Sequence, residues 1–313
     1  MLPLVYHPEY SFPFPGAHRF PMEKFGRLHG YLRGQGIATA DNTFRPGRAR
    51  PALLGRVHCP DYVSAVLENR LDDRARRRMG LPWSEALVKR TCIAPMGTLL
   101  TAQLALKQGL ACHLAGGTHH AYRDFGSGFC LFNDLAFAAR LLLDSAAVDR
   151  LLIFDCDVHQ GDGTAAMLAD EPRAFTCSIH CEKNFPVRKQ NSDLDVGLPP
   201  GMTDGDYLAT VFETLDGLLD RVEPQLVLYD AGVDIYAGDP LGRLQISEAG
   251  IAERDGGVLQ RCRQRGVPVA TVIGGGYDDD REALARRHAL VVEQAARLQQ
   301  TQPDTEFPCP KPC

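Results

Sequence analysis

The chain has 313 residues, of which 44% are hydrophobic and 23% charged. This is enough for one large α/β domain or two ordinary ones, and the composition is typical of a globular protein. Its formal net charge of −5 gives no general attraction to nucleic acid or to an anionic membrane, so we expect neither as a partner. No apolar run approaches the roughly 20 residues needed to span a bilayer, and the N-terminus lacks the pattern of a signal peptide.

The cysteines indicate a reducing compartment. Ten are present without a CxxC pair, and several lie inside apolar, strand-like runs. Free cysteine behaves there as a small hydrophobic residue, so we expect a cytoplasmic protein without a disulfide framework. The proline-rich residues 301–313 are expected to form a loose tail. Cys309 and Cys313 within it could bind a stray metal, but a frayed terminus is the preferred interpretation.

Apolar strand-like runs alternate with helical patterns along the chain. The predicted strands cover residues 111–117, 150–157, 173–180, 224–232 and 267–276. The predicted helices between and around them include residues 96–109, 133–145, 204–222 and 247–266. Continuous apolar strands separated by helices predict a mainly parallel sheet covered by helices on both faces. Since no repeat or linker divides the chain, we expect a single open α/β domain over residues 1–300.

Each predicted strand is followed by polar residues or glycines. The segments are GGTHH, DCDVHQGDG, SIHCEKNF, DAGVD and GGGY, in chain order. In open parallel α/β sheets, ligands bind beyond the carboxyl ends of the strands. The sequence therefore predicts that five strand ends converge on one crevice.

The segment after the second predicted strand has the composition of a metal site. Asp155, Asp157 and His159 alternate along the chain, and alternate residues of an extended segment face the same side. Burying two carboxylates and an imidazole together is costly unless a cation neutralises them, and this donor set suits zinc. Asp234, after another strand, is the natural third ligand. The alternatives are a solvated loop at 155–159 and a helix cap or turn at Asp234.

His119 and His120 form a tandem pair directly after two glycines and a threonine. In a crevice at neutral pH, such a pair is best explained as acid–base groups. Each imidazole needs a partner that sets its tautomer, and the loop after the next strand offers the carboxylates of Asp155 and Asp162. The competing interpretation is that both histidines are metal ligands.

Three consecutive glycines precede Tyr277 after the last predicted strand. Glycines at 274–276 permit positive φ values and close approach of the backbone to a ligand. They would place the Tyr277 hydroxyl over the metal, where it could donate a hydrogen bond to an oxyanion. A merely flexible turn is the alternative.

These motifs together resemble one known family. GGTHHA, GSGFCLFND, DCDVHQGDG, AGVD and GGGY, in this order and spacing, are similar to the histone deacetylase family, which has the arginase-like α/β fold. HRFPMEK and SIHCEKNFP look like the class IV branch of that family and its bacterial relatives. The resemblance runs from about Tyr6 to the end of the last helix and therefore covers nearly the whole chain.

The resemblance implies a role for each candidate catalytic residue. His120 matches the general base that later protonates the leaving amine, and His119 matches its electrostatic partner. Asp155 would hold His119, and Asp162 would hold His120. The zinc ligands and the tyrosine that polarises the acyl carbonyl are the remaining implied residues: Asp157, His159, Asp234 and Tyr277.

The resemblance also implies a substrate tunnel. Phe129 matches one aromatic wall of an acyl-lysine tunnel, with Gly128 beside it, and Phe185 would form the opposite wall. Gln160 stands where many members have a second histidine, and Thr118 stands where a glycine precedes the histidine pair. No acidic rim residue that would grip the backbone of the substrate can be aligned.

A structural potassium ion behind the zinc loop is a further implication of the resemblance. It would use the side chains of Asp155 and Ser178. The backbones that would complete its coordination are those of Asp157, His159 and Ile179.

The expected activity is zinc-dependent hydrolysis that removes an acetyl or longer fatty acyl group from the ε-amine of lysine in a protein or peptide. The main alternative is an acylpolyamine or other small-amide hydrolase on the same fold, which an acidic, narrow entrance would favour. An arginase-type ureohydrolase would need more aspartates for a second metal. A non-catalytic acyl-lysine binder would be expected to have lost a ligand, the histidine pair or the tyrosine, and none is lost.

The N-terminal segment bears on acyl length. Residues 10–16, YSFPFPG, are rich in aromatic residues and proline, and their family counterpart is the first active-site loop. If this loop frames an apolar pocket, each buried methylene contributes about 0.8 kcal/mol and longer acyl groups are favoured. If Phe12 and Phe14 fill the space, short acyl groups are favoured.

Overall fold

The computed structural model describes residues 1–16 and 18–301, and these residues contain eight β-strands in one sheet. The strands are β1 (Leu4–Val5), β2 (Thr43–Phe44), β3 (Leu110–His113), β4 (Leu151–Asp155), β5 (Ala174–Cys181), β6 (Leu194–Leu198), β7 (Val227–Asp230) and β8 (Val269–Val272). Every pairing is parallel, in the order β2-β1-β3-β8-β7-β4-β5-β6. The prediction of a single open domain with a parallel sheet is confirmed.

The five strands predicted from the sequence occupy five adjacent positions in this sheet, β3-β8-β7-β4-β5. Their residues are almost entirely buried, which explains their continuous apolar character. The three strands that sequence analysis missed lie toward the edges. Two of them have only two residues, and β6 alternates exposed and partly buried residues without a strong apolar signal.

Ten α-helices flank the sheet in the described part of the chain. They are α1 (Lys24–Gly34), α2 (Pro51–Leu54), α3 (Pro60–Leu67), α4 (Asp73–Met79), α5 (Glu85–Gln108), α6 (Asp134–Asp144), α7 (Asp162–Leu168), α8 (Asp204–Val222), α9 (Glu248–Gln264) and α10 (Arg281–Thr301). A short 3₁₀ helix covers Pro8–Tyr10. Helices α8, α9, α10 and α1 pack in that order as one layer, while α5 packs against α6 and against β3 and β8.

The helix predicted at residues 96–109 begins 11 residues earlier, at Glu85. Pro95 lies inside this helix, and its missing N–H interrupts the helical hydrogen bonds. A proline there also makes the preceding residues look less helical in the sequence. The Ser84 side chain caps the true start by accepting a hydrogen bond from the backbone N–H of Leu87. Because α5 is buried along most of its length, packing stabilises the turn that the proline disrupts.

Two further expectations concern the ends of the chain and its cysteines. The predicted tail lies outside the described residues except for Thr301, which ends α10. No described helix has both the length and the apolarity needed to cross a bilayer. The described cysteines are all free, and all but Cys59 are buried.

Candidate active site

A cavity of about 560 Å³ opens beyond the carboxyl ends of the central strands. Its lining includes residues from the segments that follow β3, β4, β5, β7 and β8. Parallel strands bring their carboxyl ends to the same edge of a sheet, and this is why segments far apart in sequence meet here. The predicted convergence of five strand ends on one crevice is therefore present in the structure.

Three ligand-type side chains meet at the floor of this cavity. Asp157, His159 and Asp234 are buried, and their candidate ligand atoms lie within 4.8 Å of one another. The Nδ1 atom of His159 lies 3.1 Å from Asp157 Oδ1 and 3.1 Å from Asp234 Oδ2. Burial lowers the pKa of His159, but hydrogen bonds to the two carboxylates raise it to about 10. The raised pKa shows that the two buried carboxylates stabilise a positive charge between them. Together with one imidazole they form a donor set that fits zinc.

Backbone groups orient these carboxylates. Asp157 Oδ2 accepts a hydrogen bond from the N–H of Gly275 at 2.7 Å, and Asp234 Oδ1 accepts one from the N–H of Val158 at 2.9 Å. A Cβ atom at position 275 would lie 2.1 Å from Asp234 Oδ2 and 2.5 Å from Asp157 Oδ2. Only glycine therefore leaves room for the GGGY segment to pass beside both carboxylates.

The tandem histidines lie beside this group, and each contacts a different carboxylate. His119 Nδ1 lies 2.7 Å from Asp155 Oδ2, and His120 Nδ1 lies 2.6 Å from Asp162 Oδ1. Burial, followed by the charge of His119, lowers the pKa of His120 to about 4. Burial also acts to lower the pKa of His119, but Asp155 and nearby carboxylates raise it well above its ordinary value. At neutral pH this leaves His120 neutral and able to accept a proton.

Tyr277 lines the same cavity, with its position set by a residue that sequence analysis did not identify. Asp239 Oδ2 accepts a hydrogen bond from the backbone N–H of Tyr277 at 2.7 Å, and Asp239 Oδ1 also accepts from the N–H of Leu241. Burial and then the charges of Asp234 and Asp157 raise the pKa of the Tyr277 phenol well above its ordinary range. The hydroxyl therefore stays protonated and can act as a hydrogen-bond donor.

Two aromatic rings form walls of the cavity. Phe129 has its ring centroid 6.0 Å from that of Tyr277, and Phe185, which is 42% exposed, has its centroid 4.8 Å from that of His120. Gly128 has a positive φ of 51°, and a Cβ atom there would lie 2.5 Å from the His120 ring. Glycine at this position is thus required by the close approach of the wall to the imidazole.

The residues expected to bind potassium lie behind the candidate zinc ligands. Asp155 and Ser178 are paired across β4 and β5, and Ile179 is the next residue of β5. Asp155 Oδ1 accepts a hydrogen bond from the N–H of Asp157 at 3.0 Å, and Ser178 Oγ lies 3.0 Å from His180 Nδ1. These contacts bring the predicted residues together, and the potassium ion itself stays a prediction.

Gln160 and Thr118, which depart from the pattern of the resembled family, have local hydrogen-bonding partners. Gln160 is buried, and its amide donates to the carbonyl of Gln190 and to Asp195. The hydroxyl of Thr118 contacts Asp134, the first residue of α6. Both side chains therefore stabilise the loops that carry the site.

Arg254 on α9 is a positioning residue that sequence analysis missed. It is fully buried and pairs with Asp255 at 2.9 Å. Its guanidinium also donates to the carbonyls of Cys156, Ala231 and Gly232, at 3.3, 3.1 and 2.7 Å. Cys156 directly precedes one predicted ligand, and Gly232 lies two residues before another. Arg254 thus joins the two loops that carry the candidate metal ligands, and only the folded chain shows this contact.

A second group of ligand-type side chains adjoins the first. His119, Asp155 and Asp230 are buried, with candidate ligand atoms within 4.8 Å of one another. Among residues 1–16 and 18–301, neither oxygen of Asp230 has a hydrogen-bond partner, and burial followed by the charge of Asp155 raises its pKa well above the ordinary value. Asp230 therefore takes up a proton more readily than an exposed aspartate does. This group keeps open the alternative interpretation of His119 as a metal ligand.

The inner part of the cavity is lined by side chains from α1 and α5 and from the segment before α1. Phe20, Lys24, Phe25 and Arg90 all contribute. The Lys24 ammonium donates to the carbonyl of Gly274 at 3.1 Å. Burial lowers the pKa of Lys24 to about 8 and that of Arg90 to about 10.

The N-terminal aromatic residues, by contrast, lie outside this lining. Tyr10 is buried with its hydroxyl 2.7 Å from His113 Nε2, while Phe12 and Phe14 pack edge to face and are partly buried against the core. Of the two alternatives for this segment, residues 10–16 do not frame the cavity, and Phe12 and Phe14 pack against the core instead. The aromatic residues that line the inner cavity are Phe20 and Phe25.

The chain is similar to known proteins along most of its length. The sequence profile of the histone deacetylase domain matches residues 18–295. Histone deacetylase 2 of Arabidopsis thaliana is 30% identical over 315 aligned positions, which cover 96% of this chain and 81% of that protein. The crystal structure of an HDAC homolog complexed with SAHA has a TM-score of 0.79 at 23% identity and covers 94% of this chain and 84% of its own.

Two other relatives carry different descriptions. An uncharacterized protein of Picosynechococcus sp. is 51% identical over 295 residues, which cover 94% of this chain and 98% of that protein. The polyamine deacetylase HDAC10 of Mus musculus is 29% identical over 292 residues, which cover 84% of this chain and 42% of the mouse protein. Relatives of this chain thus include proteins described as acting on histones and on polyamines.

Proposed function

Because the chain belongs to the histone deacetylase family, we propose that it is a zinc-dependent deacylase that hydrolyses the amide between an acyl group and the ε-amine of lysine in a protein or peptide. The observation that carries this proposal is the arrangement in one cavity of a three-residue metal group, a carboxylate-paired histidine dyad and a tyrosine hydroxyl. We further propose that the chain is a class IV-like or bacterial-type member and acts in the cytoplasm.

Asp157, His159 and Asp234 would hold the zinc ion. When bound, zinc polarises the acyl carbonyl and lowers the pKa of water to about 7. Three protein ligands leave a coordination position open, which is typical of a catalytic site. A structural potassium ion behind this loop is part of the same proposal.

His120 moves the proton in this mechanism. Its Nδ1 contacts Asp162, so Nε2, which lies 3.2 Å from Nε2 of His119, is the nitrogen that would take a proton from the attacking water and deliver it to the leaving amine. Tyr122 donates a hydrogen bond to the second oxygen of Asp162 at 3.0 Å and so fixes the direction of this pair. His119, held by Asp155, supplies nearby positive charge.

Tyr277 would donate a hydrogen bond to the acyl oxygen as negative charge develops on it. Phe129 and Phe185 would enclose the apolar stem of the acyl-lysine and exclude water from the reacting amide. This division of work needs no organic cofactor.

The acyl-lysine proposal is preferred over an acylpolyamine substrate because the entrance lacks the acidic side chains that would attract a polyamine. Among the described residues that line the cavity, only the buried ligands Asp157 and Asp234 are acidic. The test is a panel of acyl-lysine peptides and acylpolyamines assayed with the zinc-loaded protein. Turnover of acylpolyamines alone would favour the alternative, and turnover of neither would contradict both.

The preferred acyl length depends on the inner cavity. Phe20 and Phe25 offer apolar contact to additional methylenes, each contributing about 0.8 kcal/mol on burial, and on this ground we propose better kcat/KM for medium or long acyl groups than for acetyl. Acetyl, octanoyl and myristoyl forms of one peptide test it. A monotonic fall with chain length would show that the inner cavity is closed to longer acyl groups.

A further inference from the structure

Five exposed cationic side chains line the cavity at its mouth: Arg19, Arg77, Arg78, Lys183 and Arg243. We call them the cationic rim. They come from four separate segments of the chain, so the sequence alone does not show that they share one opening.

Three rim residues stand beside the Phe129 wall. Arg77 and Arg78 lie at the end of α4, and the carbonyl of the following residue, Met79, accepts a hydrogen bond from the N–H of Phe129 at 2.9 Å. Arg19 follows His18, whose ring centroid is 5.8 Å from that of Phe129.

The other two rim residues stand beside the Phe185 wall. Lys183 lies two residues before Phe185. Arg243 lies two residues after Leu241, whose carbonyl accepts a hydrogen bond from Asn184 at 2.6 Å. Both aromatic walls of the cavity therefore carry positive charge on their solvent side.

Little negative charge balances the rim. Lys183 pairs with exposed Glu182 at 3.5 Å, and Arg78 lies over the ring of Phe125. Within residues 1–16 and 18–301, the side chains of Arg19, Arg77 and Arg243 form no ion pair within 4 Å. The chain as a whole has a net charge of −5, so the rim is opposite in sign to the protein that carries it.

Resting on the function proposed above, we propose that the substrate of this deacylase is an acyl-lysine flanked by acidic side chains, and that the cationic rim selects it. A cleft lined by one sign of charge raises the local concentration of oppositely charged ligands and their association rate. Polycations such as polyamines and basic histone tails meet like charge at the same opening. The specificity therefore lies in the charge of the residues around the acyl-lysine.

The test uses three peptides of equal length, each with one acetyl-lysine, flanked by Asp and Glu, by Gly and Ser, or by Arg and Lys. With the zinc-loaded full chain at low ionic strength, kcat/KM is expected to rank acidic, neutral, basic, with about tenfold or more between the extremes. The difference should narrow in 0.5 M salt, because the Debye length falls from about 10 Å at 0.1 M toward 3 Å at 1 M. Equal values for the three peptides, or a preference for the basic one, would overturn the proposal.

Arg77→Gln and Arg243→Gln test the two walls separately. Each is expected to lower the ratio of acidic to neutral kcat/KM by about two- to fivefold, the range of one exposed charge pair. Lys107→Gln is the matched control, because exposed Lys107 lies near the end of α5, ahead of the amino end of β3 and away from the cavity. A ratio that changes as much in Lys107→Gln as in the rim variants would contradict the assignment.

Binding of the same peptides, measured by fluorescence anisotropy, separates this inference from the proposed function. If the peptides bind in the order acidic, neutral, basic but none is hydrolysed, the result would contradict deacylation and support substrate selection by the cationic rim. If all three peptides are hydrolysed at equal rates, the result would support deacylation and contradict substrate selection by the cationic rim.

Discussion

His119 and His120 face each other through their Nε2 atoms, which lie 3.2 Å apart, while their Nδ1 atoms contact different carboxylates. Adjacent residues thus have different electrostatic surroundings. Asp155 and Asp162 are equally buried, but Asp157 and Asp230 also act on His119 and help to raise its pKa, whereas burial and the charge of His119 lower the pKa of His120. This asymmetry is the physical basis for giving the two histidines different roles.

We expect His120→Ala to lower kcat by at least the 10²–10⁴-fold that is typical of a general acid–base group, while zinc stays bound. His119→Ala should reduce kcat less, because His119 tunes its neighbour and does not transfer the proton. Steady-state kinetics and metal analysis of both variants check this. Loss of zinc from either variant would instead support the interpretation of the pair as metal ligands.

We expect Tyr277→Phe to fold normally and to lose about 10²–10³ in kcat, as is typical when one oxyanion donor is removed. The ring, its contact with Phe129 and the backbone hydrogen bond to Asp239 all remain. Tyr31→Phe is the control, because it removes a hydroxyl that contacts Glu293 on α10. Unchanged turnover in Tyr277→Phe would show that this hydroxyl does not act on the substrate.

We expect one zinc ion per chain, bound by the group that includes Asp234. Asp234→Asn should lose most of the zinc, whereas Asp230→Asn should retain it, since Asp230 belongs to the second, neighbouring group. Inductively coupled plasma measurements give the stoichiometry, and chelation followed by zinc addition tests recovery of activity. Full activity of exhaustively demetallated protein would reject zinc dependence.

We expect Arg254→Lys to weaken zinc binding and to destabilise the fold. A lysine ammonium keeps the positive charge beside Asp255 but cannot also reproduce the three carbonyl contacts, and each buried acceptor left without a partner costs about 1–3 kcal/mol. Loss of outer contacts to a metal site typically reduces metal affinity by about 10- to 100-fold. The measurements are zinc competition and urea unfolding.

Arg261→Lys is the control for this prediction. Arg261 lies on the same helix and pairs with partly exposed Asp216, so the change should cost less than about 1 kcal/mol. Equal losses in the two variants would mean that Arg254 has no special connection to the metal site.

We expect the protein to lose stability as the pH falls from 6.5 toward 4, in part through His58. Burial lowers the pKa of His58 to about 4; its Nδ1 donates to the carbonyl of Tyr122, and its Nε2 accepts from the N–H of Asn133. Below pH 6.5 the His58 imidazole becomes protonated in the unfolded chain, whereas in the folded chain it is protonated only near pH 4. At about 1.4 kcal/mol per pH unit, this difference in proton binding lowers the free energy of unfolding by about 3 kcal/mol between pH 6.5 and 4.

Urea unfolding of the protein and of His58→Gln at several pH values checks this contribution. The variant should be less stable at pH 7, and its stability should fall less steeply between pH 6.5 and 4. Identical slopes would show that His58 does not contribute to the acid sensitivity.

The central part of the fold and the chemistry of the site followed from local sequence pattern. Strands β3, β4, β5, β7 and β8 are buried on both faces, so each is a continuous apolar run that can be recognised without its neighbours. Parallel topology then places the residues after these strands at one edge, which predicts a shared crevice for the candidate zinc ligands, the histidines and Tyr277.

Only the tertiary structure decided the contacts that join distant segments. Strands β1 and β2 are too short to carry a pattern, and they exist because they pair beside β3. Arg254 meets the ligand loops, and the cationic rim forms, because packing brings together residues whose own surroundings in sequence are ordinary. Local periodicity encodes burial of a strand or helix, whereas an ion pair or a charged opening depends on pairwise distances that exist only after the chain has folded.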